Sequence, residues 1–144
     1  MRLLKLKQRP QQKGLILIAA KFHQVAHYLQ PMSPSEQVSL INNGDNAITY
    51  LMPTRSTAPR WLRGKHNTLA IRLTSHPSAK QLCLIAGSAL VSTSANLSGQ
   101  RPAKTYAACQ RLFGKAVWVM SGKIGNRKQP STIRSWLDGK IVRQ

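Results

Sequence analysis

The sequence predicts a mixed α/β layer fold in which short strands alternate with short helices. An apolar run over 14–20, bounded by turn residues, has the pattern of a strand buried on both faces. Between Phe22 and Leu29, apolar residues recur at i, i+3, i+4 and i+7, which is one face of a helix. Near the end, Asp138-Gly139 separates two strand-like segments and is a strong hairpin signal.

The first half of the chain is expected to hold three helices and three strands. In order, these are the end of a helix over 1–8, the strand over 14–20, a short helix over 22–29, a helix from Ser33, and strands over 47–52 and 68–73. Ser33-Pro-Ser-Glu36 combines a capping Ser, a Pro at the first helical position and a Glu at the third, and the polar run 42–46 ends that helix. The segment around Trp61, rich in Pro, Arg and Gly, predicts an exposed loop.

The second half continues the alternation. His76-Pro77 begins a helix that Gly87 ends, and a strand over 89–92 leads into a polar loop. The remaining expected elements are a helix over 105–113, a strand over 117–120 and hairpin strands over 132–136 and 140–143. Because the chain has no internal repeat and no long linker, we expect a single domain over 1–144.

Acidic residues are scarce. The chain has 22 Lys+Arg against 3 Asp+Glu, a formal net charge of +19. A glycosidase carboxylate pair or a carboxylate cage for Mg²⁺ or Ca²⁺ would need residues that the chain hardly has. Polyanions are the favoured partners.

Composition also indicates the compartment. No apolar run approaches the eighteen or more residues of a membrane span, so we expect no membrane partner. Cys83 and Cys109 have the spacing of neither a metal site nor a disulfide framework. We therefore expect reduced core thiols in a cytoplasmic protein.

Two polar clusters are candidates for a functional site. Lys7-Gln-Arg9 lies at a helix-to-strand junction, and the loop from Ser92 to Gly99 follows a strand end, where ligands of open α/β sheets bind. Its hydroxyl and amide side chains suit phosphate oxygens or a carboxylate. Both clusters have a structural alternative, because such residues also form ordinary loops and because Lys7 and Arg9 suit a solvated helix end.

A pair of histidines is a weaker candidate. His23 and His27 have the i, i+4 spacing of two metal ligands on one helix face. Gln24 stands where a metalloprotease has its Glu, and no third ligand is evident. We expect no protein metal site.

Five motifs together resemble a known family. They are, in order, Lys7-Gln-Arg9, Thr68-Leu-Ala-Ile-Arg72, Ser92-Thr-Ser-Ala-Asn-Leu-Ser-Gly99, Pro130-Ser-Thr-Ile133 and Ile141-Val-Arg143. This set is similar to the YrdC/TsaC family of threonylcarbamoyl-AMP synthases over essentially the whole chain. The resemblance implies a YrdC-like fold, a twisted mixed sheet with flanking helices and a basic concave face. It also implies a single YrdC-like domain over 1–144 that lacks the family's N-terminal strand and helix.

The resemblance implies an activity and its residues. The enzyme would be a nucleotidyltransferase that forms threonylcarbamoyl-AMP and pyrophosphate from L-threonine, bicarbonate and ATP, for threonylcarbamoyladenosine modification of tRNA. The implied catalytic residues around the ATP phosphates are Lys7, Arg9, Ser94 and Asn96, with Thr68 and Arg143 also binding ATP and Arg72, Ser92 and Ser131 binding threonine. Mg²⁺ would be held by the ATP phosphates.

Two alternatives to an active enzyme stay open. One is a non-catalytic module of the same fold that binds double-stranded RNA or tRNA through its basic face. The other is a truncated reading frame.

Overall fold

A computed structural model describes residues 2–43, 48–122 and 130–143. Its helices are α1 (Arg2–Leu6), α2 (His23–Ala26), α3 (Pro34–Asn42), α4 (Arg60–Arg63), α5 (Pro77–Ile85) and α6 (Tyr106–Phe113). Its strands are β1 (Ile16–Ala19), β2 (Ile48–Pro53), β3 (Thr68–Leu73), β4 (Leu90–Ser92), β5 (Thr132–Ser135) and β6 (Ile141–Arg143). The described residues do not include 44–47. Two predictions fall partly on this range: residue 47 begins a predicted strand, and residues 44–46 belong to the polar run predicted to end a helix.

The contacts divide the chain into two compact units. The first consists of Met1–Gln11 and Thr93–Arg127, and the second of Gln12–Ser92 and Lys128–Gln144. The first unit contains α1 and α6. All strands of the described residues lie in the second unit.

The strands form one mixed sheet in the order β4-β1-β3-β2-β5-β6. The pairs β1–β3 and β2–β5 are parallel, and the other neighbours are antiparallel. Along β3, Leu69, Ile71 and Leu73 are buried, and the residues between them are half-exposed. Their burial places the apolar core on one face of the sheet. The predicted fold class is thus confirmed.

The helix cap and the hairpin turn that the sequence predicts are both present in the structure. The Ser33 hydroxyl accepts a hydrogen bond from the Glu36 N–H at 3.3 Å, and the Glu36 carboxylate accepts one from the Ser33 N–H at 2.8 Å, which is a capping box at the start of α3. The Ser33 N–H and the Ser33 hydroxyl both donate to the Glu36 carboxylate at 2.8 Å, and these two hydrogen bonds hold the pKa of Glu36 below its ordinary value. In the hairpin between β5 and β6, Gly139 has φ +67°, a conformation that favours Gly.

Two predictions are wrong. Residues 117–120 form no strand; instead Trp118 is 84% exposed, and β-forming side chains without a neighbouring strand do not make one. The segment around Trp61 is not simply a loop, because it contains α4, whose Leu62 is fully buried. The Leu62 carbonyl accepts a hydrogen bond from the Leu15 N–H at 2.8 Å, which ties this segment to the start of β1.

Candidate active site

Lys7, which follows α1, is buried and only 5% exposed. Its ammonium donates hydrogen bonds to the backbone carbonyls of Ser94 and, at 2.5 Å, Asn96. The ammonium also lies 6.0 Å from the centre of the Phe113 ring, within cation–π range. The interpretation of Lys7 as a solvated helix end is therefore wrong.

The loop that begins at Ser94 is held in one shape by its own hydrogen bonds. The Ser94 hydroxyl donates to Asn96 Oδ1 at 2.5 Å, and Asn96 Nδ2 donates to the Gln100 carbonyl at 2.7 Å. The Ser98 N–H donates to the Lys7 carbonyl at 2.9 Å. The structure thus brings the Lys-x-Arg and Ser-x-Asn motifs together, and the side chains of the second motif also shape their own loop.

The charge of this cluster is concentrated at Lys7 and Arg9. Burial, and then the nearby charge of Arg9, lower the pKa of Lys7 below its ordinary value. Between them Gln8 has φ +50°, a left-handed conformation that is uncommon for a residue other than Gly and often found at functional sites. Arg9, which is half-exposed, lines an open hollow of about 490 Å³ together with Lys5 and Gln8. The two cations that line this hollow are Lys5 and Arg9, and such a pair can bind an anion; Lys7 is not among the described lining residues.

The other predicted site residues belong to the second compact unit, which contains the sheet and is called the sheet unit below. On β3, Thr68 and Arg72 lie on the half-exposed face, opposite the core face. Ile16 of β1 is directly opposite both Ala70 and Ser92, so Ser92 shares this face.

Strands β2 and β6 add the remaining residues to this same face. Leu51 is opposite Ala70, so Thr49, two residues before it on β2, also lies on the half-exposed face. Ile133 is opposite both Thr49 and Arg143. We call this surface the open face, defined by Thr68, Arg72, Ser92, Thr49 and Arg143.

The open face is not exposed along its whole length, because Thr49 forms a buried hydroxyl pair with Ser131. Thr49 is fully buried, and its Oγ1 is 2.9 Å from Oγ of Ser131. Arg143 Nη2 donates to the Ser131 carbonyl at 3.1 Å. Thr49 was missed by the sequence analysis, although a Thr inside an otherwise apolar strand pattern is a signal that could have indicated it.

Metal ligands are not clustered in the described part of the chain. Residues 2–43, 48–122 and 130–143 contain no group of three or more His, Cys, Asp or Glu able to hold a metal ion. None of the helices within these ranges has the length and apolar content that a membrane span requires.

Both cysteines are free thiols. Cys83 is buried, as predicted for a core thiol, whereas Cys109 is half-exposed and is not a core thiol.

Comparison with known proteins decides the family. A model of the Sua5/YciO/YrdC family, described as "Telomere recombination", matches residues 1–144. The chain belongs to this family. Among Sua5/YciO/YrdC relatives, a threonylcarbamoyl-AMP synthase of Methylobacillus flagellatus is 46% identical over 142 residues, 99% of this chain and 79% of that protein. One of Klebsiella pneumoniae is 45% identical over 146 residues, 100% of this chain and 77% of that protein.

A solved Sua5/YciO/YrdC structure has the same fold. The crystal structure of P. abyssi Sua5 complexed with L-threonine aligns with a TM-score of 0.82 at 22% identity. The alignment covers 93% of this chain and 40% of that one. The predicted family is confirmed, and the placement of individual site residues stays a prediction.

Proposed function

We propose that this chain is a threonylcarbamoyl-AMP synthase, a transferase that acts on L-threonine, bicarbonate and ATP. The observation that carries the proposal is the cluster in which buried Lys7 bonds the carbonyls of Ser94 and Asn96. It occurs in a chain that is 46% identical, over 99% of its length, to a protein of that name. Supporting evidence is the L-threonine in the structure of P. abyssi Sua5.

In the proposed reaction the threonine amine and bicarbonate form a carbamate with loss of water. A carbamate oxygen then bonds to the α-phosphorus of ATP while the bond to pyrophosphate breaks. Negative charge builds on the phosphate oxygens, so positive groups that are already in place lower the barrier. Lys7 and Arg9 are the proposed source of this charge, and the Ser94 and Asn96 loop is the proposed support for the phosphates.

The remaining roles are proposals of the same kind. ATP would also contact Thr68 and Arg143, and threonine would contact Arg72, Ser92 and Ser131. Mg²⁺ would enter with the ATP phosphates, which agrees with the scarcity of carboxylates. A single YrdC-like domain over 1–144 and a cytoplasmic location complete the proposal, the latter supported by two free cysteines.

The direct test is pyrophosphate release by the purified chain. We expect release that requires threonine, bicarbonate and ATP together, with threonylcarbamoyl-AMP identified by mass spectrometry. Pyrophosphate release that continues without threonine, or no product with all three substrates, would reject the proposal. Serine in place of threonine tests whether the threonine methyl group is recognised.

Thr49 provides a specific prediction about the threonine pocket. In Thr49→Val the shape of the buried side chain is kept but the hydroxyl that pairs with Ser131 is lost. A freed Ser131 hydroxyl can rotate, so the KM for threonine should rise about fivefold to tenfold, equivalent to a lost hydrogen bond of about 1 to 1.4 kcal/mol. The KM for ATP should change less than twofold. Thr57→Val, at an exposed position, is the matched control, and equal effects of both variants would contradict the assignment.

A second candidate function is binding of tRNA or double-stranded RNA, which the net charge of +19 favours. If about five to eight phosphates are contacted, log affinity should fall with log salt at a slope of roughly −4 to −7. The measurement is fluorescence anisotropy with a labelled RNA duplex between low and moderate salt. A slope near zero would mean that the positive charge is only a solvated surface.

A further inference from the structure

A cavity of about 510 Å³ lies at the carboxyl ends of β1 and β3, within the sheet unit. Lys21 lies just after β1, and Thr74 and Ser75 follow β3. Ligands of open α/β sheets bind outside the carboxyl ends of parallel strands. Small-molecule sites typically measure roughly 300–1,000 Å³. No residue that we assign to ATP or threonine is among the described residues that line this cavity.

The polar lining of this cavity is basic. Lys21 extends from the turn after β1, Lys80 from α5 and His23 from α2, and the two lysines are exposed. Among the lining residues in the described ranges there is no Asp or Glu. The electrostatic potential of such a lining favours an anion.

Hydroxyl groups supply uncharged donors at the same place. Thr74 is buried, and its Oγ1 accepts a hydrogen bond from the His76 N–H at 3.3 Å. A hydroxyl that accepts in this way keeps its own proton to donate. Ser75 is exposed beside it. Two hydroxyl residues and two lysines that line one cavity match the several acceptor oxygens of a phosphate.

Gln24 fixes the walls of the cavity. It is buried, and its Oε1 accepts hydrogen bonds from the Ala20 N–H at 2.8 Å and the Lys21 N–H at 3.2 Å. Its Nε2 donates to the Cys83 carbonyl at 2.8 Å. One side chain thus joins the turn that carries Lys21 to α5, which carries Lys80. The two ammonium groups are therefore borne by backbone that is already in place, which lowers the cost of ordering a site.

The rest of the lining is apolar. Phe22, Leu73 and Ile41 line it, and Phe22 is half-exposed. We propose that this cavity binds a small phosphorylated molecule that also carries an aromatic or apolar part, the class that includes nucleoside monophosphates. The phosphate would contact Lys21, Lys80 and the hydroxyls, and the apolar part would pack against Phe22.

The test is an NMR titration of the ¹⁵N-labelled chain with AMP and, separately, with inorganic phosphate. AMP should shift the amides of Lys21, Phe22, Thr74 and Ser75 saturably, with a Kd at least about fivefold lower than that of inorganic phosphate. AMP shifts confined to the region of Lys7 would overturn the proposal. Equal affinity for the two probes would overturn the apolar part of it.

Matched variants distinguish binding at a specific site from a general effect of positive charge. The double variant Lys21→Gln/Lys80→Gln should raise the Kd for AMP at these amides about tenfold, a modest factor because both lysines are solvent-exposed. Lys65→Gln/Lys115→Gln removes the same charge from exposed positions elsewhere and should change that Kd less than twofold. An equal loss in both double variants would overturn the proposal. Threonine-dependent pyrophosphate release should stay unchanged in Lys21→Gln/Lys80→Gln, which distinguishes this cavity from the proposed active site.

Discussion

Replacing Lys7 with Met is expected to reduce kcat/KM for ATP about a hundredfold to a thousandfold, the range seen when a positioned group that stabilises developing charge is lost. Met keeps the unbranched shape of the buried stem but removes the ammonium. Two effects then combine: the proposed contact with the phosphates disappears, and the carbonyls of Ser94 and Asn96 lose their donor. The measurement is steady-state pyrophosphate release at several ATP concentrations.

Two further measurements make this prediction specific. Lys65→Met changes the same residue type at an exposed position and should alter kcat/KM less than twofold. Because the pKa of Lys7 is lowered, the ammonium loses its proton at a lower pH than an ordinary lysine. ATP affinity of the unsubstituted chain should therefore fall as pH rises through this lowered pKa, and Lys7→Met should lack that step. Unchanged ATP affinity in Lys7→Met would reject the assignment of Lys7.

The largest loss of stability is expected for Gly64→Ala. Gly64, which follows α4, has φ +67°, and a Cβ at this position would lie 2.3 Å from the Gln12 carbonyl oxygen and 2.7 Å from the Gly14 nitrogen. Both are backbone atoms, so relief requires a shift of the segment that leads into β1. Gly64 also has ψ −134°, a backbone conformation that is populated mainly by Gly. We expect the free energy of unfolding to fall by about 3 to 4 kcal/mol, the sum of this backbone strain and overpacking.

Gly87→Ala is the control for a positive φ without a steric clash. Gly87 has φ +62°, but a Cβ there would meet nothing within 4 Å. Its cost should therefore be the left-handed strain alone, about 1 kcal/mol. Urea denaturation of both variants measures the difference. Equal losses for the two variants would mean that the contact with Gln12 does not matter.

Elements that depend on neighbours in the chain could be predicted from the sequence. The capping box of Ser33 and Glu36 is made by residues three positions apart, and the turn at Gly139 requires only a Gly with positive φ. The motif Lys7-x-Arg9 and the loop after Ser92 were likewise recognisable as sequence patterns. The family followed from these patterns and was confirmed by the relatives.

Features that depend on distant partners were decided by the tertiary structure. Lys7 bonds carbonyls that are 87 and 89 positions away, and Thr49 pairs with Ser131 82 positions away. Residues 117–120 have the side chains of a strand but form none.

The physical reason is the same in each case. A local pattern specifies backbone preference and the face that a side chain takes, whereas burial and hydrogen bonding depend on which segment packs alongside. The sequence by itself therefore determined the kinds of elements, the scarcity of acid and the family. Only the tertiary structure decided that Lys7 is a buried donor to the Ser94 loop rather than a solvated cation.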